Sequence, residues 1–369
     1  MLLAACLLLA GCGRKLEYPL PSDGVSRFPT GEPLREGDVI LARSYGLIGA
    51  MFANHSEAGG KYSHGAMIYR ADNGRLMMLN YRPTGMETCT PEEFFTRYNR
   101  LGLVRFDDDW SEARAPDYLG NPNQNGLDAL TATAKHWLQK DAENRIPPDY
   151  HLDHDEHSAM FCLELTSTVY RDCGLPDPFH RARKANEDPL LSLANKLFKA
   201  DVYEIRSPSS VLDNPRFTLV DTWERPEFDQ REEALNEEVI QVLVEDLYAG
   251  LRPKRPRVMG RVKLRQIFLI YHVVTKGMFW RPKQDLPDFI DTEVIENAYM
   301  MYCYASRSKK AARKRMLAET APVYAANPDP ETLERVKRMV REECAKRRTT
   351  YLSEWGRARG QVQTGVPCR

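Results

Sequence analysis

Long apolar runs are missing from this 369-residue sequence, whose mean hydropathy is −0.53. No stretch approaches the ~20 apolar residues of a membrane-spanning helix, which excludes a polytopic membrane protein. Net charge is missing too: 52 Lys and Arg balance 52 Asp and Glu, so nothing favours generic nucleic-acid binding. Eight cysteines in a chain of 369 residues exclude the class of small proteins that are held together by disulfides. The sequence therefore predicts a globular protein with a substantial core.

The balanced total hides an asymmetry along the chain. Residues 251–369 carry 26 Lys and Arg against 12 Asp and Glu, whereas residues 1–250 carry 26 against 40. The length also suggests two domains. Short strands and helices in the first part predict an α+β domain at 36–222. Long, charge-laced helices predict an all-α domain of unknown role at 226–369.

The N-terminus reads MLLAACLLLAGC, an apolar stretch that is too short to span a bilayer but fits a secretory signal. Its end, Leu9-Ala10-Gly11-Cys12, matches the bacterial lipobox, in which the cysteine thiolate takes the lipid and becomes the first mature residue. We therefore expect a signal peptide at 1–11, a lipid (palmitate-bearing) anchor on Cys12 and a tether at 12–35. No basic n-region precedes the apolar run, which leaves the true start of translation open.

The anchor predicts a place in the bacterial cell envelope, facing the periplasm. Gly13 follows Cys12 where an Asp would retain a lipoprotein in the inner membrane, so the outer membrane is favoured in a Gram-negative host. We expect a membrane contact through Cys12 and no nucleic-acid partner.

An Asn73-Gly74 turn between two apolar stretches is the clearest local signal of a β-hairpin. A three-residue loop centred on Asn73 would pair Asn80 with Ala66 and place Asn80 on the same face as His64. A two-residue loop would place them on opposite faces, because side chains alternate along a strand.

Cys162 is the candidate nucleophile, in a helix predicted over 158–173 with Ser158 as its N-cap. The N–H groups and dipole of a helix N-terminus favour a thiolate and can lower the pKa of a cysteine from ~8.5 towards ~3.5–7.5. The alternative is a small buried hydrophobic residue. A thiolate needs a base and a group that orients the base, and His64 and Asn80 are the candidates.

Three segments resemble, in their order, the circularly permuted NlpC-type papain-like hydrolases of the YiiX-like group: Gly37-Asp38-Val39-Ile40-Leu41, Tyr62-Ser63-His64-Gly65 and Phe161-Cys162-Leu163-Glu164-Leu165. The resemblance implies a permuted papain-like domain with a small antiparallel sheet and a helix that bears the nucleophile. It assigns Cys162 as nucleophile, His64 as base and Asn80 as the orienting residue. Leu163 replaces the family's usual Ser, and Asn80 stands where many members carry Glu.

The resemblance also implies an envelope amide or ester as substrate, since relatives cut peptidoglycan peptides or resemble lipid acyltransferases. No cofactor or metal is expected. We place Tyr62, Asp38 and Glu164 at the rim of the cleft. The competing hypothesis is an inactive lipoprotein that uses the cleft to bind envelope lipid or peptidoglycan.

Two further features have alternative interpretations. The stretch 151–157, with three His and several acidic residues, could hold a metal ion but is more typical of an acidic surface loop. The basic residues of the C-terminal helices are typical of a solvated face, and beside a lipid anchor they could contact anionic head groups.

Overall fold

The computed structural model of the chain describes residues 25–43, 53, 61–82, 85–106, 110–120, 124–146, 160–180, 182–184, 204–253, 292–325 and 328–354. The expected lipid anchor at Cys12 and the acidic stretch at 151–157 lie outside these residues. No helix within these ranges is long and apolar enough to cross a membrane.

Within the described residues, the main sheet has six strands, and every neighbouring pair is antiparallel. Their order across the sheet is Gly85–Cys89, Leu76–Arg82, His64–Arg70, Val39–Arg43, Arg100–Phe106 and Phe217–Glu224. Together with helices on both sides, this confirms the predicted α+β class. The described strands are β1 (Val39–Arg43), β2 (His64–Arg70), β3 (Leu76–Arg82), β4 (Gly85–Cys89), β5 (Arg100–Phe106), β6 (Ala182–Lys184), β7 (Glu204–Arg206), β8 (Phe217–Glu224), β9 (Leu251–Pro253) and β10 (Leu352–Glu354).

In the described part of the chain, three helices accompany the sheet and three long helices follow it. The C-terminal part was expected to be all α, but β9 and β10 also form a small antiparallel pair there. The long helices pack around an apolar core that includes Leu235, Tyr304 and Val340. In chain order the helices are α1 (Pro91–Phe95), α2 (Gly126–Asn144), α3 (Cys162–Asp172), α4 (Gln230–Tyr248), α5 (Thr292–Glu319) and α6 (Pro330–Tyr351).

The hairpin formed by β2 and β3 has the register that the three-residue loop predicts. Met67 pairs with Leu79, which places Asn80 opposite Ala66. The Ala71 carbonyl accepts the N–H of Gly74, and Gly74 has a φ of 76°, a conformation that glycine adopts without strain. The expected position of Asn80 on the face that carries His64 is confirmed.

Alternating side chains divide the apolar residues of the sheet between two faces. Val39, Met67 and Leu79 pack with helices α2 and α3 on one face. Ile40 and Ile68 pack with helix α1 on the other. The sheet is therefore buried on both sides, which explains why β1 is apolar at four consecutive positions.

The described part of the expected tether is folded onto the domain, so the prediction of a tether that extends to residue 35 is wrong for residues 25–35. Phe28 and Leu34 are 1% and 5% exposed. The Phe28 and Phe95 rings form an edge-to-face pair, with 5.7 Å between their centroids. Burial of these apolar side chains stabilises the packed position of the segment over a solvated one.

A buried ion-pair network connects the sheet to the long helices. Arg43, at the end of β1, is only 2% exposed and lies 3.3 Å from Glu233 and 3.0 Å from Glu237, both on α4. Arg100 also contacts Glu233, at 3.2 Å, and pairs with Glu224 of β8. The first turns of α4 are thereby joined to the central strands.

Candidate active site

Helix α3 begins at Cys162, four residues later than the sequence pattern predicts. Phe161 is extended, with φ −134° and ψ 177°, and it is the N-cap in place of Ser158. The backbone N–H of Phe161 donates to Glu164 Oε2 at 3.3 Å, so a side chain within the first turn closes the helix start. Cys162 is thus the first helical residue, where unpaired backbone N–H groups and the dipole act on its sulfur most strongly.

His64 is the first residue of β2, and its ring is held on two sides. Its Nε2 lies 2.6 Å from Asn80 Oδ1. Because an amide oxygen can only accept, Nε2 carries the proton. That leaves Nδ1 as the ring nitrogen that can face the thiol.

Cys162 and His64 hydrogen-bond each other, and each shifts the pKa of the other. Burial raises the pKa of Cys162, but the His64 charge, the hydrogen bond to His64 and the backbone N–H groups of Gly65 and Leu163 outweigh it and lower the pKa below the ordinary value. Burial lowers the pKa of His64, yet the Cys162 thiolate and the bonds to Cys162 and Asn80 leave it raised. Both shifts favour a thiolate–imidazolium pair.

Asn80 is fully buried and joins His64 to a carboxylate that the sequence motifs did not include. Its Nδ2 donates to Glu87 Oε1 at 2.9 Å, from the register position of β4 directly opposite. Glu87 in turn accepts from Arg82 at 3.3 Å and from Arg97. The base therefore stands at one end of a chain of polar contacts: His64, Asn80, Glu87.

Two aromatic rings cover the imidazole. The Tyr98 ring is nearly parallel to His64, at 16° and 5.6 Å between centroids, and Phe94 lies 6.1 Å away at 26°. Burial and the nearby Cys162 charge raise the pKa of Tyr98. These rings restrict rotation of the imidazole about its side-chain bonds and exclude water from one of its faces.

Leu163, which follows Cys162, packs against strand β2. It is 2% exposed, and a Cβ atom added to Gly65 would come within 2.8 Å of Leu163 Cδ2. Glycine at position 65 thus lets β2 approach α3 closely enough for the thiol and imidazole to meet.

The three residues expected at the cleft rim are instead buried, and the rim assignment is wrong for each. Glu164 is fully buried and closes the start of α3. Asp38 is 1% exposed and binds the Arg105 guanidinium through two contacts of 2.8 and 3.0 Å. Tyr62 is 2% exposed and packs over Gly102 of β5. Each is held inside by a structural contact that the linear motif does not reveal.

Glu87 and Tyr98 are site residues that the sequence motifs do not indicate. Pro83 and Gly85 are typical turn residues and could have predicted a second hairpin, in which Glu87 falls opposite Asn80. Tyr98 follows the short helix α1, and nothing in its sequence neighbourhood indicates a contact with His64.

No protein-family model matches the sequence, and no curated protein matches it. The chain is similar to the crystal structure of metalloprotein yiiX from Escherichia coli O157:H7, with a TM-score of 0.39 and 18% sequence identity. That similarity covers 52% of this chain and 98% of the other. Within the described ranges, no group of three or more His, Cys, Asp or Glu is arranged to hold a metal ion.

Proposed function

We propose that this chain is a cysteine hydrolase or acyltransferase that acts on an amide or ester bond through Cys162, His64 and Asn80. The observation that carries the proposal is the arrangement of the three side chains: Cys162 is the first residue of α3 and contacts His64, whose Nε2 lies 2.6 Å from Asn80 Oδ1. The pKa shifts agree with it, since the pKa of Cys162 is lowered and the pKa of His64 is raised. An inert buried cysteine has the opposite shift, and Cys89 shows it, because burial raises its pKa to about 12.

The reaction follows from the roles that the contacts permit. The Cys162 thiolate attacks the carbonyl carbon, and the leaving group takes the proton from His64. His64 then removes a proton from water, or from an acceptor alcohol or amine, which attacks the thioester and releases Cys162. Asn80 holds the ring so that one nitrogen faces the sulfur. The backbone N–H groups at the start of α3 are suited to stabilise the oxyanion.

The substrate class rests on the motif resemblance to permuted papain-like enzymes. Relatives of that kind act on peptidoglycan peptides or resemble lipid acyltransferases, so we propose an envelope peptide or lipid as substrate. The partly exposed Cys162 is consistent with access from solvent.

We further propose that the protein reaches the envelope through a lipid on Cys12. Replacing Cys12 with Ala should move the full-length protein from the membrane fraction to the soluble periplasmic fraction. A Cys12→Ala protein that stays in the membrane fraction would contradict the lipobox interpretation or show that the basic helices suffice for attachment, and high-salt extraction separates these outcomes.

Envelope extracts treated with the wild-type chain and with Cys162→Ala test the activity. Mass spectrometry should show peptides or lipids that are consumed only by the wild type, and an acyl group on the Cys162 peptide after rapid quenching. If neither chain changes the extract but both retain the same envelope molecule, the noncatalytic binding hypothesis is correct instead.

A further inference from the structure

Glu87 contacts the NH2 group of Asn80, while the oxygen of the same amide contacts His64. It occupies β4 directly opposite Asn80, and its side chain is 25% exposed. Asn80 itself is fully buried, so the contact of 2.9 Å between Asn80 Nδ2 and Glu87 Oε1 is shielded from water on the Asn80 side. A charge-assisted hydrogen bond of this kind is stronger than a neutral one.

This contact fixes which end of the Asn80 amide faces His64. An amide can rotate to present either its oxygen or its NH2 group, and only its partners determine the choice. A carboxylate can only accept, so the NH2 group must face Glu87 and Oδ1 must face the imidazole. Without the carboxylate the amide could turn its NH2 group towards His64, which would oppose the protonated ring.

Glu87 also neutralises two guanidinium groups near the base. Arg82 and Arg97 both pair with it. The Arg82 charge acts to lower the pKa of His64, against the effects of Cys162 and Asn80. A carboxylate paired with both arginines limits that unfavourable field at the imidazole.

We propose that Glu87 is a positioning residue of this site: it orients the Asn80 amide and shields the His64 imidazolium from Arg82 and Arg97. The inference rests on the proposed function, because it concerns the same Cys162–His64 pair. Asn80 therefore stands between the Glu87 carboxylate and His64, whereas a Glu at position 80 would contact the imidazole directly.

The pH dependence of Cys162 alkylation tests the inference without a substrate. Among the described residues, the charged and titratable groups around His64 are Cys162 of α3, Arg82 at the end of β3, Glu87 of β4, and Arg97 and Tyr98 after α1. Iodoacetamide rates at the Cys162 peptide, followed by mass spectrometry, should rise in two steps: a lower one as the ion pair forms and an upper one as His64 loses its proton.

Charge changes of opposite sign should move the upper step in opposite directions. Glu87→Gln keeps the shape of the side chain but leaves both arginines unneutralised. The midpoint of the upper step should therefore move to lower pH by about 0.5 to 1 unit. Arg97→Gln leaves Glu87 with more of its charge uncompensated, so the step should rise. Asp72→Asn removes a carboxylate that is 95% exposed at the far end of the same hairpin, and it should leave the step unchanged.

The opposite signs separate positioning from general damage to the fold. If Glu87→Gln and Arg97→Gln shift the step the same way, or no further than Asp72→Asn does, the role of Glu87 is refuted. If Glu87→Gln does not fold, the rise expected for Arg97→Gln decides alone. If the wild-type Cys162 instead ionises in one step like an ordinary thiol, the proposed function fails, and the inference with it.

Discussion

At Cys162, burial and charge act in opposite directions on the thiol. Burial favours the neutral SH form, and the imidazolium with two backbone N–H groups favours the thiolate. The second effect is the larger one, since the pKa of Cys162 is lowered overall. Cys173 is also buried, but its neighbours are Thr133 and Asp172 rather than an imidazolium, and its pKa is raised to about 11. The charged neighbour, rather than the burial, therefore sets the direction of the pKa shift at Cys162.

Substitutions in the triad should differ in severity. Cys162→Ala should abolish acylation, because no other group there forms the acyl intermediate, and His64→Ala should cost about 10²–10⁴-fold as the acid and base are lost. Asn80→Ala should cost about 10²-fold or less, because the imidazole can still transfer protons when it is poorly oriented. Rates of acylation by p-nitrophenyl acetate measure all three, with Asp72→Asn as control. An Asn80→Ala loss as large as that of Cys162→Ala would contradict these roles.

The three residues of the candidate site can be selected from residue types and order, but the residues that surround them cannot. Cys162, His64 and Asn80 stand out because each is a reactive or polar residue in a motif or an apolar run. Glu164 and Asp38 stand out for the same reason. In the structure, however, Glu164 accepts the N–H of Phe161 at the start of α3, and Asp38 accepts from the Arg105 guanidinium. A linear motif does not distinguish a carboxylate that faces a cleft from one that faces backbone N–H groups, because burial depends on distant strands.

Strand β2 and helix α3 meet where side chains are small enough to permit it. Gly65 follows the base directly, and an added Cβ would come within 2.8 Å of Leu163 and 3.0 Å of Phe179. Since Leu163 and Phe179 are both buried, neither can turn away into solvent. The spacing between the nucleophile and the base is therefore set at the level of packed elements.

Gly65→Ala should destabilise the protein by about 1–3 kcal/mol through overpacking and should slow Cys162 alkylation as the helix is pushed away. Urea denaturation and alkylation rates measure the two effects. Leu163→Ala in the same chain makes room for the new methyl group, so the double variant should lose less stability than the sum of the single ones. Strictly additive losses would show that the contact across Gly65 is not the cause.

The position of a helix or strand can be predicted where local turn residues determine it. It cannot be predicted where contacts between distant residues determine it. Asn73-Gly74 specified the β2–β3 register because the turn residues and the apolar alternation agree. The start of α3 was misplaced because Ser158 resembles an N-cap, while the cap in the structure depends on Glu164 inside the helix. The packing of residues 25–35 was missed because proline and polar residues there suggest a solvated tether.

The sheet and the long helices are joined by buried charge. Arg43→Ala should cost about 1.5–3 kcal/mol, because it removes the charge-assisted contacts of a buried guanidinium with Glu237 and Glu233, while Glu233 keeps its pair with Arg100. Arg335→Ala is the matched control: its side chain is 50% exposed and pairs with Glu319 at 3.3 Å, so less than about 1 kcal/mol is expected. Guanidinium denaturation measures both. Equal, small losses would mean that the junction contributes little to stability.

Most basic residues on the C-terminal helices have acidic partners, which favours a solvated, ion-paired face over a cationic membrane surface. Arg315, for example, contacts Glu319 and Glu342. Charge already balanced within the protein contributes less to attraction by anionic head groups. Other pairs of the same kind join Arg313 with Glu232, Arg341 with Glu245, Arg347 with Glu343 and Arg348 with Asp246.

Selective alkylation of the full chain at pH 6.5 tests the central claim most directly, because the buried cysteines act as internal references. The thiolate–imidazolium pair predicts that limiting iodoacetamide labels the Cys162 peptide first, while Cys89 and Cys173, whose pKa values are raised to about 12 and about 11, stay unlabelled. His64→Ala should remove this preference. Labelling of Cys162 no faster than that of free cysteine, or undiminished in His64→Ala, would contradict the account.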